Sequence, residues 1–241
     1  MMTPGYRQKP AAKVLAEIDR IRQIWPHPFI EFADDNTFVN RGYWKDLLPE
    51  LAKRKLRWFT ETDLSVADDD ELLARMRDAG CAQVLIGLES PTPDALTGID
   101  THGWKRKRFD QYRDAITRIQ RHGISVNGCF ILGLDAHDVG IFDAVDLFVR
   151  EADLTEVQVT VQTAFPGTAL YQRLLRDGRL IEPINWDLCT LFDVNFQPEK
   201  MTALELRDGF RRLVGKLYTR TRTDERRRHF RELRRAARIA G

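Results

Sequence analysis

The chain has 241 residues, of which 43% are hydrophobic and 31% charged, with a formal net charge of +2. That length and balance give a real core in one large domain or two small ones, and exclude a disordered, collagen-like or disulfide-scaffold protein. The longest uncharged stretches, such as Val157 to Leu170, are too short to cross a bilayer, so a cytoplasmic protein with no membrane span is expected.

Apolar residues recur at helical spacing from Ala11 to Trp25 (Val14, Leu15, Ile18, Ile21), and a short apolar strand, Phe29 to Ala33, then runs into Asp34-Asp35-Asn36. The pattern repeats with a helix over Tyr43 to Arg54 and a strand over Arg57 to Thr60, which ends at Glu61-Thr62-Asp63. A helix over Asp69 to Ala79 follows, and its strand, Gln83 to Gly87, ends at Glu89-Ser90. Beyond a long loop, Pro91 to Lys107, the periodicity predicts a helix over Phe109 to His122 and a strand over Ser125 to Leu132, ending at Gly133-Leu134-Asp135. The last pair is a helix over Val139 to Glu151 and a strand over Glu156 to Val161, ending at Gln162-Thr163.

Strands that read as apolar on both faces, separated by amphipathic helices, indicate a parallel sheet in an α/β fold. After Pro166-Gly167-Thr168 a helix reaches about Arg176, an irregular stretch passes Trp186 and Phe196, and Thr202 to Glu205 reads as a capping box opening a final helical region. From Glu205 onward there are thirteen Lys and Arg against five Asp and Glu. This tail reads as a solvated helical face, with an anion or nucleic-acid patch as the alternative. Fraying is expected beyond Thr223.

In parallel α/β folds ligands sit at the carboxyl ends of strands, where loops converge. Here all five ends are polar, carrying Asp34, Asp35, Asn36, Glu61, Asp63, Glu89, Ser90, Gly133, Asp135, Gln162 and Thr163. Each cluster alone is explained by capping and turns. Five in register form a carboxylate-rich rim suited to a ligand with amino and hydroxyl groups. The aromatics Trp104, Trp186, Phe192 and Phe196 read first as packing, the basic run Lys105 to Arg108 as a solvated loop, and His137 as a loop residue.

Phe32 to Asn36, Ala79-Gly80-Cys81 leading to Ile86 through Ser90, and Gly123-Ile124 followed by Phe130 through Asp135 resemble, in order and spacing, the radical S-adenosylmethionine (radical SAM) enzymes. The segment Gly133 to Asp138, and Ala164 through Thr168 with Leu170-Tyr171, are most similar to the branch that carries an N-terminal cobalamin-binding domain. The resemblance implies a partial (β/α)6 TIM-like barrel over residues 6–181 missing its first strand, with a helical C-terminal extension, residues 182–241, ending in the basic tail. It implies that Asp34, Asp35 and Asn36 meet the methionine amino group and that Glu61 and Asp63 form the next rim. Glu89 and Ser90 would lie near the ribose, Ile131, Gly133 and Asp135 along the adenine, and Gln162 at the last strand's end. The implied activity is reductive cleavage of S-adenosylmethionine (SAM) to drive methylation or a related modification of a small-molecule substrate, with a 4Fe-4S cluster and, through a further domain, cobalamin. His137 and Asp138 depart from the family's usual Glu-Thr pair.

The family's C-x-x-x-C-x-x-C loop would precede Gly5, where only Met1 to Pro4 stand. Cys81, Cys129 and Cys189 lie 48 and 60 residues apart and suit neither a disulfide framework nor a metal site. The expectation is a truncated or mis-started frame, or a remnant, with no metal site of its own and inactive in that chemistry alone. Two other readings stay open: a (β/α)-barrel metal-dependent hydrolase or lyase using Asp34, Asp35, Glu61 and Glu89, and a non-catalytic SAM- or RNA-binding remnant. RNA is the less expected ligand, because the tail lacks aromatics spaced for base stacking.

Overall fold

In the computed structural model, which describes residues 7–100 and 102–239, helices and strands alternate. Helix α1 (Ala11–Ile24) leads to β1 (Phe29–Phe32), α2 (Arg41–Arg54) to β2 (Arg57–Thr62), and α3 (Asp70–Asp78) to β3 (Cys81–Glu89). Helices α4 (Trp104–Lys107) and α5 (Tyr112–Arg121) precede β4 (Ser125–Leu132), and α6 (Ile141–Glu151) precedes β5 (Glu156–Val161). Then come α7 (Ala169–Arg176), α8 (Ala203–Leu217) and α9 (Arg220–Ile239). The core's expected start at residue 6, and the cluster loop expected before Gly5, lie outside the described residues.

The five strands form one sheet in the order β1-β2-β3-β4-β5, each parallel to its neighbour, so their carboxyl ends share one rim. The expected parallel α/β sheet is thus present, as an open five-stranded arrangement.

The two faces of the sheet differ, which corrects the expectation of strands apolar on both. One face carries Trp58, Val84, Ile86, Val126, Phe130, Leu132, Val159 and Val161, all buried under the helices. On the opposite face Glu61 stands beside Leu85, Gly87 beside Cys129, and Ile131 beside Thr160, all outside the buried core except Thr160. A run such as Gln83-Val84-Leu85-Ile86-Gly87 is therefore a period-two strand whose inner positions, Gln83, Leu85 and Gly87, lie outside the buried core, and that face is free to line a cavity.

Beneath β1, Phe32 meets the Trp44 and Trp58 rings edge-on at 5.2 and 5.3 Å, and Trp44 stacks on Trp58 at 6.1 Å. Such contacts add about 0.5–1.5 kcal/mol each beyond area burial. They hold the short β1, and with it the Asp34 to Asn36 turn, against α2.

Helix α9 does not fray beyond Thr223 as expected. Arg226, only 9% exposed, donates from Nη1 to the Leu217 carbonyl at 2.8 Å and from Nε to the Thr155 carbonyl at 3.3 Å. Arg227 pairs with Glu156 at 3.0 Å. Buried Asp146, on α6, receives Lys216 and Arg222 at 2.9 Å and Arg150 at 3.4 Å, tying α8 and the start of α9 to the sheet's helical layer. No helix among the described residues is long and apolar enough to cross a membrane.

Candidate functional site

A cavity of about 530 Å³ opens along the rim, lined by the inner face of the sheet and the loops after β1, β2 and β3. Asp35, Asn36, Glu61, Asp63, Glu89 and Ile131 of the predicted set meet there. Its volume falls within the roughly 300–1,000 Å³ of small-molecule pockets.

The first two strand ends are tied together. Asn36 donates to Asp63 Oδ2 at 2.7 Å and accepts from the Thr62 hydroxyl at 3.3 Å, while Asp63 Oδ1 caps the following turn by accepting the Ser65 N–H at 2.7 Å. Among the described residues Glu61 has no such partner. Burial first, then the charges of Asp35 and Glu31, push its carboxyl above the usual range. A half-buried acid beside like charges gains from a cationic or hydroxyl-bearing ligand.

Glu89 is shaped by backbone geometry. The β3–β4 register shifts between Gly87 and Glu89, and Glu89 adopts φ +65°, a left-handed conformation uncommon outside glycine. The bulge turns the carboxylate back over Gly87, where a Cβ would lie 2.5 Å from Glu89 Oε1 and 3.1 Å from Lys105 Nζ. Lys105 completes the pair: its ammonium bonds Glu89 Oε1 and donates to the Gly87 carbonyl at 2.8 Å.

The run Lys105 to Arg108 is therefore not the solvated loop expected. Asp100 accepts the Trp104 and Lys105 N–H groups at 2.7 and 3.0 Å and folds α4 over the cavity, while Arg108 holds Asp68. The Asp100-to-Lys105 capping spacing was the available sequence signal. Trp104 and Leu191 add apolar wall.

The other predicted residues lie elsewhere. Asp34 lines a separate groove between β1 and α1. Asp135 is taken by Arg173 and by Arg179 at 3.0 Å, whose charges hold its carboxyl below the usual range against the opposing effect of burial. Gly133, at φ +91°, passes beneath the C-terminal segment: a Cβ there would lie 2.8 Å from Leu206 and 3.2 Å from Phe196, which is fully buried. Gln162 donates its backbone N–H to the Leu132 carbonyl at 2.8 Å, and its side-chain carbonyl is buried without a partner among the described residues.

Ser90 is fully buried and bonds His137 Nε2 at 3.0 Å. His137 stands in the loop between β4 and α6, as expected, but it is buried there, and burial pushes its pKa down to about 4.

Residues 1–145 match the Radical SAM superfamily, well over half of the chain. The chain belongs to the radical SAM superfamily. Residues 168–240 match a domain of unknown function, DUF4070. Among curated proteins, this radical SAM chain is 29% identical over 185 residues to the hopanoid C-2 methylase of Rhodopseudomonas palustris, covering 74% of the chain and 34% of that protein. It is 26% identical over 187 residues to the bacteriochlorophyllide d C-12(1)-methyltransferase of Chlorobaculum tepidum, covering 78% and 40%.

The radical SAM methyltransferase TsrM from Kitasatospora setae, solved with cobalamin and a 4Fe-4S cluster bound, shares the fold at a TM-score of 0.60 and 17% identity, covering 84% of this chain and 41% of that one. The chain spans between a third and two-fifths of the length of these curated relatives.

Radical SAM enzymes use SAM and a 4Fe-4S cluster, and the two cofactors fit the described residues unequally. The cavity's acidic donor set, its one ammonium and its apolar wall suit a zwitterionic nucleoside. No group of three or more His, Cys, Asp or Glu among the described residues could hold a metal. Burial raises both the Cys81 thiol, at the start of β3, and the Cys129 thiol inside the cavity, the latter to about 12. Thiols held protonated are poor metal ligands, so the described residues do not fit a cluster.

Proposed function

We propose that this chain is the SAM-holding part of a cobalamin-type radical SAM methyltransferase acting on a small molecule in the cytoplasm, with residues 6–181 as the core and 182–241 as its extension. The observation that carries this reading is one cavity in which acidic groups from three strand ends face a single lysine. Carboxylates at Asp35, Glu61 and Asp63 suit an ammonium group, Glu89 suits vicinal hydroxyls, and Lys105 supplies the charge a ligand carboxylate needs. Ile131, Leu85 and Trp104 give apolar surface for a base.

When bound, SAM supplies an activated methyl group and a sulfonium that can be cleaved reductively. The chain's own residues bind and orient it, and the bulge at Glu89 sets the direction of grip. The methyltransferase relatives support the reaction class. The solved TsrM, with tryptophan substrate and a SAM analogue bound in one structure, supports a small-molecule acceptor. Asp34, Ser90, Gly133, Asp135 and Gln162, outside the cavity, serve in this reading as supports for the loops that line it. The second family match, over residues 168–240, supports a distinct C-terminal unit.

Calorimetric titration with SAM tests the proposal. Saturable binding that weakens about tenfold in Glu89→Gln, a loss of about 1.4 kcal/mol, is expected. A chain that folds yet ignores SAM overturns it.

A further inference from the structure

We propose a second ligand site, for a polyphosphate, at the opposite end of the sheet. Helix α9 runs past the amino ends of the strands and encloses a cavity of about 520 Å³ with them. Arg57, at the start of β2, and Arg227, Arg231 and Arg234, on successive turns of α9, all line it. The sequence separates Arg57 from the others by about 170 positions, and only the docking of α9 brings them together.

The acidic residues of this cavity are already committed. Glu156 pairs with Arg227 at 3.0 Å, and Asp224 with Arg220 at 3.7 Å. Among the described residues Arg57, Arg231 and Arg234 meet no carboxylate. Arg57 lies over the Phe29 ring at 6.0 Å, Arg234 over Phe230 at 5.9 Å, and Arg231 donates to the Arg227 carbonyl at 3.2 Å. Three uncompensated guanidinium groups facing one concavity repel one another, and an anion relieves that repulsion.

Guanidinium forks match phosphate oxygens two at a time, and three guanidinium charges exceed the roughly two that one phosphate carries near neutral pH. The volume also exceeds one phosphate, and Phe29 and Phe230 supply aromatic wall. The ligand class is therefore a chain of phosphates, either inorganic or carried by a nucleoside.

This site is independent of the SAM cavity. Strand β2 alone separates the two ends by roughly 16 Å, so occupancy of one leaves the other open.

The test is calorimetry on the full chain with inorganic tripolyphosphate and, separately, with ATP. Saturable, salt-sensitive binding of one or both is expected, and ATP binding more tightly than tripolyphosphate would assign the nucleotide as the source. Arg231→Ala/Arg234→Ala should weaken binding tenfold or more. Arg211→Ala/Arg212→Ala removes the same charge from the exposed side of α8 and should change it less than twofold. Should the first pair fail to fold, Arg57→Gln is the substitute, with a loss of at least threefold expected.

Equal losses in both pairs, or no binding of either phosphate at low salt, overturn the site, as does RNA binding without binding of the small phosphates. Added tripolyphosphate should leave SAM affinity unchanged, and displacement of SAM would overturn the assignment to the opposite end.

Discussion

His137 Nε2 lies 3.0 Å from Ser90 Oγ, and the Leu134 N–H donates to the other ring nitrogen, Nδ1, at 3.3 Å. The backbone donor fixes the tautomer: Nδ1 accepts, so Nε2 carries the hydrogen and donates to Ser90. Ser90 Oγ also accepts the Thr92 N–H at 3.2 Å. The turn after β4 is thereby pinned to the residue that follows Glu89, so a neutral histidine holds the bulge that aims Glu89 into the cavity.

Protonation of His137 would set a second N–H against that of Leu134. Its pKa falls from 6.5 to about 4 on folding, chiefly through burial and partly offset by Asp138. The unfolded chain therefore binds the proton more readily. The stabilisation is complete above pH 6.5 and is lost as pH falls toward 4, amounting to about 3 kcal/mol. Thermal unfolding followed from pH 7 to 4.5 should show a falling midpoint, and His137→Gln should be less stable at pH 7 but flatter across that range. An equally steep profile in the variant would contradict the assignment.

Gly87 leaves room for the Glu89–Lys105 pair, since a Cβ there would lie 2.5 Å from Glu89 Oε1. Gly87→Ala should displace that carboxylate and weaken SAM binding about tenfold, or about 1.4 kcal/mol. Its cost to stability should be small, because the displaced atoms are ends of flexible side chains. Lys105→Ala should weaken SAM and leave the affinity for decarboxylated SAM nearly unchanged, which isolates the carboxylate contact.

Asp146 is 1% exposed and receives three cations from α6, α8 and the start of α9. Asp146→Ala leaves Lys216 and Arg222 facing an apolar gap. Those cations are partly solvated, so the cost is set at about 2–3 kcal/mol, below that of a fully buried pair. The unfolding midpoint should drop by about 5–10 °C, and proteolysis should first cut between α8 and α9.

Strand β1 pairs with β2 on one side, and no further strand lies on its other side among the described residues. Phe29 there is 50% exposed. Such an edge templates pairing with another chain. Light scattering during size exclusion should show concentration-dependent association, and Phe29→Lys should reduce it. A monodisperse monomer would refute the edge as the contact.

The alternation of helices and strands was legible because apolar period and turn residues act locally. The strand ends at Asp35, Asn36, Glu61, Asp63 and Glu89 were legible because a parallel sheet brings every carboxyl end to one rim. Hidden in the sequence were Lys105, brought in by the Asp100 cap, the committed pairs of Asp135, and the burial of His137 and Ser90. The Asp135 and Ser90–His137 contacts join groups 38 or more residues apart, and the Lys105–Glu89 pair rests on a backbone bulge, and no periodicity encodes either.

The amino-acid order determined which segments would be helix or strand, that the strands would run parallel, and which superfamily they belong to, because near-neighbour sterics and apolar spacing are written directly in it. Which carboxylates stay free for a ligand and which are consumed by arginines was decided only by the tertiary structure, as was the role of the basic tail as a packed wall. Charge pairing follows through-space distance, and the docking of α7 at the rim and of α8 and α9 onto the sheet sets those distances.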